Sequence, residues 1–410
     1  MESAQASLKN LFQQEFSRLV AGISRQFGLQ HIERAEDLVS ETFLLAAETW
    51  GVRGMPANPR AWLYAVAKQK TLYQFRRHNR LVNKVMPELI GQVGEADDVA
   101  VDFSEQAIRD SQLRMLFALC TPLIPDEAQI GLALRILCGF GIDEIAQAFL
   151  TNKETITKRL FRAKEKLRTE GISLELPPER ELVRRLDRVL RVIYLLFNEG
   201  YYSKTQNQTL QQDVCLEAMR LGVMLTDYTQ TNLPKTKALL ALMCFHASRF
   251  SARQPDNGLL ILYELQDETL WDVALINQGF WWLRESLSGD EVSTYHLEAR
   301  IASWHCIKDD TPDKWQAILT LYDQLIRIND SPIVALNRVY ALYQVEGQAA
   351  ALQAIHELRL ENSHLYWMLL GELYRETEPL RATDQYRQAL ALAKTLPDRQ
   401  QIERTLAQLR

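Results

Sequence analysis

The residues of this chain best placed to do chemistry are cations and hydrogen-bond donors that would grip a polyanion. Thr155, Lys158, Arg159 and Arg162 lie between Lys153 and Arg168, where Ile156, Leu160, Ala163 and Leu167 recur at spacings of four, three and four. That period predicts a helix with one inward apolar stripe and basic outer faces. Just before it, Ile142, Ile145, Ala146 and Phe149 give a shorter helix one apolar face, and Leu150, Thr151 and Asn152 break the rhythm. Asn152 tolerates left-handed backbone and is expected to make the bend. Two short helices joined by a tight turn, the second basic outside, are what a helix-turn-helix needs to lay a recognition helix in the major groove. A helix hairpin with a merely solvated basic face fits the same pattern.

A second constellation lies upstream. From Arg60 to Lys84 the charged residues are Arg60, Lys68, Lys70, Arg76, Arg77, Arg80 and Lys84, with no carboxylate among them. Trp62, Tyr64, Tyr73 and Phe75 are interleaved. Aromatic faces stack on unpaired bases while Lys and Arg hold phosphates, so the mixture suits single-stranded DNA, although Phe75 reads better as core. Neither constellation is catalytic. The seven histidines lack metal-ligand spacing with cysteine or carboxylate, and no cofactor or metal is expected.

The elements that carry these residues read as helices throughout, an all-α chain. Leu8 to Phe27 is amphipathic. Ile32 to Trp50 is a second helix, with Ala35, Leu38, Val39, Thr42, Phe43 and Ala46 inward and Glu33, Glu36, Asp37, Glu41 and Glu48 as an acidic side. GVRGMPANP then reads as a loop before the basic helix. The expected organisation is one helical domain over 1–86, a Gly-bearing acidic linker over 87–103, the helix-turn-helix domain over 104–171, and a joint over 172–180 at Pro177 and Pro178. A helical extension then fills 181–410. Within the extension Ile318, Leu352 and Tyr386 are spaced by thirty-four, as are Cys306, Tyr340 and Tyr374, and Ala302, Leu336 and Leu370. That is the tetratricopeptide period, and such units stack into a solenoid with a concave face.

Length and composition set the bounds. The 410 residues are enough for two to four domains, and a net charge of -5 hides two separate basic patches in an otherwise balanced or acidic chain. The five cysteines are scattered through apolar helical patterns and read as reduced residues of a cytoplasmic protein. No run is long enough to span a membrane, and MESAQASLKN lacks the apolar region of a signal peptide.

With these pieces in order, AEDLVSETFLLAAETW, NPRAWLYAVAKQKTLYQFRRHNR and the region from PDEAQIGLALRILCGFGIDEIAQAFL, the first part resembles the extracytoplasmic-function type of bacterial sigma factor, within the sigma-70 family. RVIYLLFNEGYYS, LALMCFHASRF, ELQDETLWD and SPIVALNRVYALYQVEG are similar to the subgroup with a long tetratricopeptide-like C-terminal extension. The resemblance implies an all-α fold in which sigma region 2 and a region 4 helix-turn-helix precede that extension. It implies core RNA polymerase and promoter DNA as partners, with no membrane. Region 2 would dock on polymerase through Asp37, Glu41, Phe43 and Leu44, where Ser40 replaces the family's usual Gln. Pro56 to Arg60 would receive a flipped base of the minus-10 element, and Asn58, Arg60, Trp62, Lys68, Lys70, Arg76 and Arg77 would hold the strand. Tyr73 replaces the Asp usual in that helix. Thr155, Lys158, Arg159 and Arg162 would read the minus-35 element.

In the extension, Asn198, Glu199, Tyr201, His246, Arg249, Gln266, Asp267 and Trp271 supply charges, amides and an aromatic plate. They read either as an internal polar network or as a groove for a small signal or for the sigma half. Two other functions remain open at this level, a stand-alone helix-turn-helix regulator and a tetratricopeptide scaffold.

Overall fold

A computed structural model describes residues 2–85, 102–149, 151–201, 208–253, 261, 263, 266–289, 291–309, 311–394 and 396–409. The fold is all-α, and no strand occurs among the described residues. Most of the expected acidic linker, 87–103, lies outside them. Two compact units divide the chain: Met1–Thr205 with Leu216–Thr231, and Gln206–Cys215 with Asn232–Arg410.

The first unit holds α1 (Glu2–Phe27), α2 (Ile32–Arg53), α3 (Pro59–Val85), α4 (Glu105–Leu119), α5 (Asp126–Leu132), α6 (Ile142–Ala148), α7 (Lys153–Thr169) and α8 (Glu179–Tyr201). Next comes α9 (Gln208–Thr226), whose residues from Leu216 on pack with this unit. Helix α1 is its axis. Phe16, Leu19, Val20 and Ile23 on one face are fully buried, and α1 packs on α2, α3 and α4. Gly22 lets Phe103 approach, since a Cβ there would sit 2.8 Å from its ring. Helix α2 runs past Trp50 through Gly51 to Arg53, further than the Gly-rich spelling suggests. It stops at Gly54, whose φ of 79° few other residues adopt and whose N–H donates to the Trp50 carbonyl. Asn58 opens α3 by accepting from the Ala61 N–H at 3.0 Å. Helix α5 continues into a π-helical turn over Ala133–Leu137, where Cys138 N–H reaches back five residues to the Ala133 carbonyl.

The second unit contains α10 (Pro234–Ala247), α11 (Phe250–Arg253), α12 (Val273–Glu285), α13 (Thr294–Trp304), α14 (Pro312–Ile328) and α15 (Pro332–Glu346). After these come α16 (Gln348–Glu357), α17 (His364–Tyr374), α18 (Pro379–Leu392) and α19 (Leu396–Gln408). Helix α10 is apolar almost all round. Its residues Ala238 to Phe245 are buried, and it packs on α12 and α13. From α13 on, each helix packs on its sequence neighbour. The thirty-four-residue series fall on equivalent helices: Ala302, Leu336 and Leu370 are all buried and sit on α13, α15 and α17, while Ile318, Leu352 and Tyr386 sit on α14, α16 and α18. Pro begins α10, α14, α15 and α18, where its missing N–H costs no helical hydrogen bond.

Candidate functional site

Helices α6 and α7 form the helix, turn and helix that the spacing predicts. Ile156, Leu160, Ala163 and Leu167 are all buried, so the apolar stripe of α7 faces inward. The turn differs in its mechanism. Asn152 is extended, at φ -90° and ψ 157°, and acts as an N-cap, its Oδ1 accepting from the Thr155 N–H at 2.7 Å. The bend thus comes from a side-chain cap, and a left-handed Asn152 is not what makes it. Leu150, in the same turn, lies outside the described residues.

Among the residues proposed to read DNA, Thr155, Lys158 and Arg162 are exposed and Arg159 is half-buried. Lys158 pairs with Glu154 one turn back at 2.6 Å. The Arg159 guanidinium stands 5.6 Å from the centre of the Phe149 ring. Phe161 on the same helix is 56% exposed, an apolar group among cations that the alternation of charges did not single out.

On α2, Asp37, Ser40, Glu41 and Leu44 share one exposed face at helical spacing, and Leu44 is 61% exposed. Phe43 does not join them. It is buried against Phe12, ring centres 4.9 Å apart, so it supports the face from beneath. Glu36 is a second departure from the expected acidic side. Its carboxylate is buried, paired with Arg135 Nε at 3.0 Å and with the Lys164 ammonium. The pattern placed it outward because its partners lie about a hundred or more residues away, one in the π-helical turn and the other on α7.

On α3, Lys68 and Arg76 are exposed, as is Asn58 before it. Lys70 pairs with Glu41 of α2 at 2.7 Å. Trp62 is half-buried, edge-on to Trp50 at 5.3 Å, which leaves only part of its ring for stacking. Arg77 falls outside the described side chains, as does Phe75. Arg60 is held in a network that sequence reading did not anticipate: it pairs with Glu15 at 3.2 Å and with Glu105 of α4, which also takes Arg18. Tyr64 donates to Glu15 at 2.7 Å and accepts from Arg18. Burial, then the bond to Glu15, pushes the Tyr64 phenol up to about 12, while Arg18 and then Arg60 hold the Glu105 carboxylate below its usual range. Tertiary contact joins the three helices of this network, through partners 45 to 87 residues apart.

The eight extension residues divide between the units. Asn198, Glu199 and Tyr201 belong to the first. Asn198 and Glu199 line a cavity of about 340 Å³ with Asp126, Glu127 and Arg191, and Tyr201 stacks on Phe197 at 5.7 Å. Burial raises the Glu199 carboxyl, and Arg159 opposes the rise. In the second unit, His246, Arg249, Gln266 and Trp271 gather around Tyr263. Arg249 lies 5.6 Å from the centre of its ring and Trp271 stacks on it at 6.3 Å, while Gln266 donates to the Ile261 carbonyl next to it. Asp267 stays exposed and caps Thr269. His305, Lys308, Lys314 and Trp315, from the end of α13 and the start of α14, complete this cluster, and the last three were not singled out from sequence.

Residues 12–81, which take in most of α1 and α3 and all of α2, match sigma-70 region 2. An uncharacterised protein of Rhizobium meliloti (strain 1021) is 32% identical over 370 residues, covering 89% of this chain and 87% of that protein. The chain belongs to the sigma-70 family. Beyond region 2, residues 185–287 of this sigma-70 family member match a family of unknown function (DUF6596). The crystal structure of yeast Tom70 aligns over 93% of this chain and 81% of that one, at a TM-score of 0.34 and 11% identity. Among the described residues no three His, Cys, Asp or Glu side chains converge as a metal site, and no helix is long and apolar enough to cross a membrane.

Proposed function

We propose that this sigma-70 family member is a sigma factor of the extracytoplasmic-function type, which binds core RNA polymerase in the cytoplasm and directs it to promoters by opening the minus-10 element. The observation that carries the reading is the three-helix region 2 itself. Helix α2 offers polymerase the exposed row Asp37, Glu41 and Leu44, while α3 offers DNA Lys68 and Arg76, with Asn58 just before it. Helix α7 is then the minus-35 reader of a region 4 domain. Thr155, Lys158 and Arg162 face solvent there, with Arg159 at the edge of that surface. Bond-making belongs to the polymerase, and this chain contributes binding energy directed at strand separation.

The helical extension, 181–410, sets the activity of this machinery in response to a small-molecule or protein signal. The ground for it is that the extension is longer than the sigma part and no helix among the described residues is long and apolar enough to make a membrane sensor. The test is capture of core polymerase by the purified chain, followed by run-off transcription. Retained polymerase with promoter-specific transcripts is the expected result. Duplex binding without polymerase would point to a stand-alone regulator, and failure of both would point to a scaffold.

A further inference from the structure

We propose that the second unit holds a binding site for a small organic oxyanion, with the Arg249 guanidinium as its charged contact. Arg249 is 8% exposed, its Nε has no hydrogen-bond partner, and no ion pair to it occurs among the described residues. A guanidinium with its Nε buried and no anion paired to it is a costly arrangement in a folded chain. Three further buried polar atoms of the cluster around Tyr263 have no hydrogen-bond partner: Trp271 Nε1, Trp315 Nε1 and Gln266 Oε1. Three of these four atoms are donors and one is an acceptor. That ratio fits an oxygen-rich anion better than water or a cation.

The groups form one cluster. Tyr263 stands at its centre, with Arg249 Cζ 5.6 Å and Lys314 Nζ 5.3 Å from its ring centre. Trp271 lies nearly parallel to it at 6.3 Å and His305 edge-on at 5.1 Å; His305 in turn meets Trp315 at 6.0 Å. Among the described residues, two nearby carboxylates are otherwise engaged. Asp267 caps Thr269, and Asp272 caps α12 through the Leu275 N–H. Burial first, and then Arg249, Arg253 and His305, drive the His246 imidazole well below its ordinary range. Tyr263, with Ile261, also lines a groove of about 710 Å³ along α15, α17 and α19. Aromatic plates beside a buried guanidinium select an oxyanion attached to a planar or apolar body.

That such a ligand would be the signal rests on the sigma-factor reading; binding does not. Calorimetric titration of the full chain at constant ionic strength would use inorganic phosphate, phenyl phosphate, benzoate and phenol. Saturable binding of phenyl phosphate or benzoate is expected, stronger than that of inorganic phosphate, with phenol silent; the first two tell phosphate from carboxylate. Arg249→Gln should weaken binding at least about tenfold, Arg249→Lys by less, and Arg387→Gln, an exposed residue of α18 outside the groove, should leave it unchanged. Arg249→Lys keeps the charge and guards against misfolding, which near-ultraviolet circular dichroism would report. Binding by none of the anions, or binding indifferent to both Arg249 variants, overturns the proposal. The titration contains neither polymerase nor DNA, so a failed run-off assay leaves its outcome untouched.

Discussion

Glu36 joins α2, in region 2, to α7, and its replacement is the sharpest probe of how the first unit is built. The carboxylate is 7% exposed and its partners are only slightly more so, Lys164 at 15% and Arg135 at 18%. Glu36→Gln keeps the shape and removes the charge. Arg135 then retains the Phe140 carbonyl at 3.2 Å and the Phe16 ring at 5.1 Å, but Lys164 keeps no carboxylate. Removing one member of a fully buried pair costs about 3–5 kcal/mol; partial access of water to both cations reduces this to about 2–3 kcal/mol. For a unit of this size that corresponds to a fall in melting temperature of about 5–10 °C. The assay is thermal unfolding of the full chain by circular dichroism, with Lys164→Met and the double variant completing a cycle. The double variant should cost at least about 1 kcal/mol less than the two single changes added together. A melting temperature within about 2 °C of the parent for Glu36→Gln, or strict additivity with Lys164→Met, would refute the buried-charge account.

Other outcomes follow from the same geometry. Changing exposed Lys158 and Arg162 together to Ala should weaken binding to minus-35 duplex and lower the slope of log affinity against log salt by about two, read by fluorescence anisotropy; an unchanged slope would remove α7 from the phosphate backbone. Gly279→Ala puts a Cβ 2.7 Å from the buried Phe245 ring and should destabilise the second unit by about 1–3 kcal/mol. Gly51→Ala meets nothing within 4 Å and should stabilise α2 by up to about 1 kcal/mol; urea unfolding would rank them. His246 has its folded pKa depressed, so below about pH 6.5 the unfolded chain takes up a proton that the folded one refuses. Its stabilising contribution is therefore present above that pH and lost as pH falls, by at most about 1.4 kcal/mol per unit, and His246→Gln should flatten the urea-midpoint profile between pH 7.5 and 5.5.

Much of the chain could be read without coordinates because its information is local. Spacing alone identifies the inward stripe Ile156, Leu160, Ala163 and Leu167, since helical geometry fixes which residues share a face. The same holds for the thirty-four-residue series Ala302, Leu336 and Leu370, whose shared burial on alternate helices follows from stacking one unit on the next. The row Asp37, Glu41 and Leu44 is equally local. Ends were harder, because Gly51 did not stop α2 while Gly54, with its positive φ, did.

The sequence by itself determined an all-helical chain, the faces of its helices and the residues available to grip an anion. The tertiary structure decided which of those charges are already spent. It buried Glu36 between Arg135 and Lys164, tied Arg60 to Glu15 and Glu105, put Phe43 in the core, and gathered Arg249, Tyr263, Gln266, Trp271 and Trp315 from three separate stretches. A helical period reports only the neighbours three and four residues away. A charge's partner 45 to 128 residues distant leaves no periodic trace, because only the packing of helices against one another brings the two within reach.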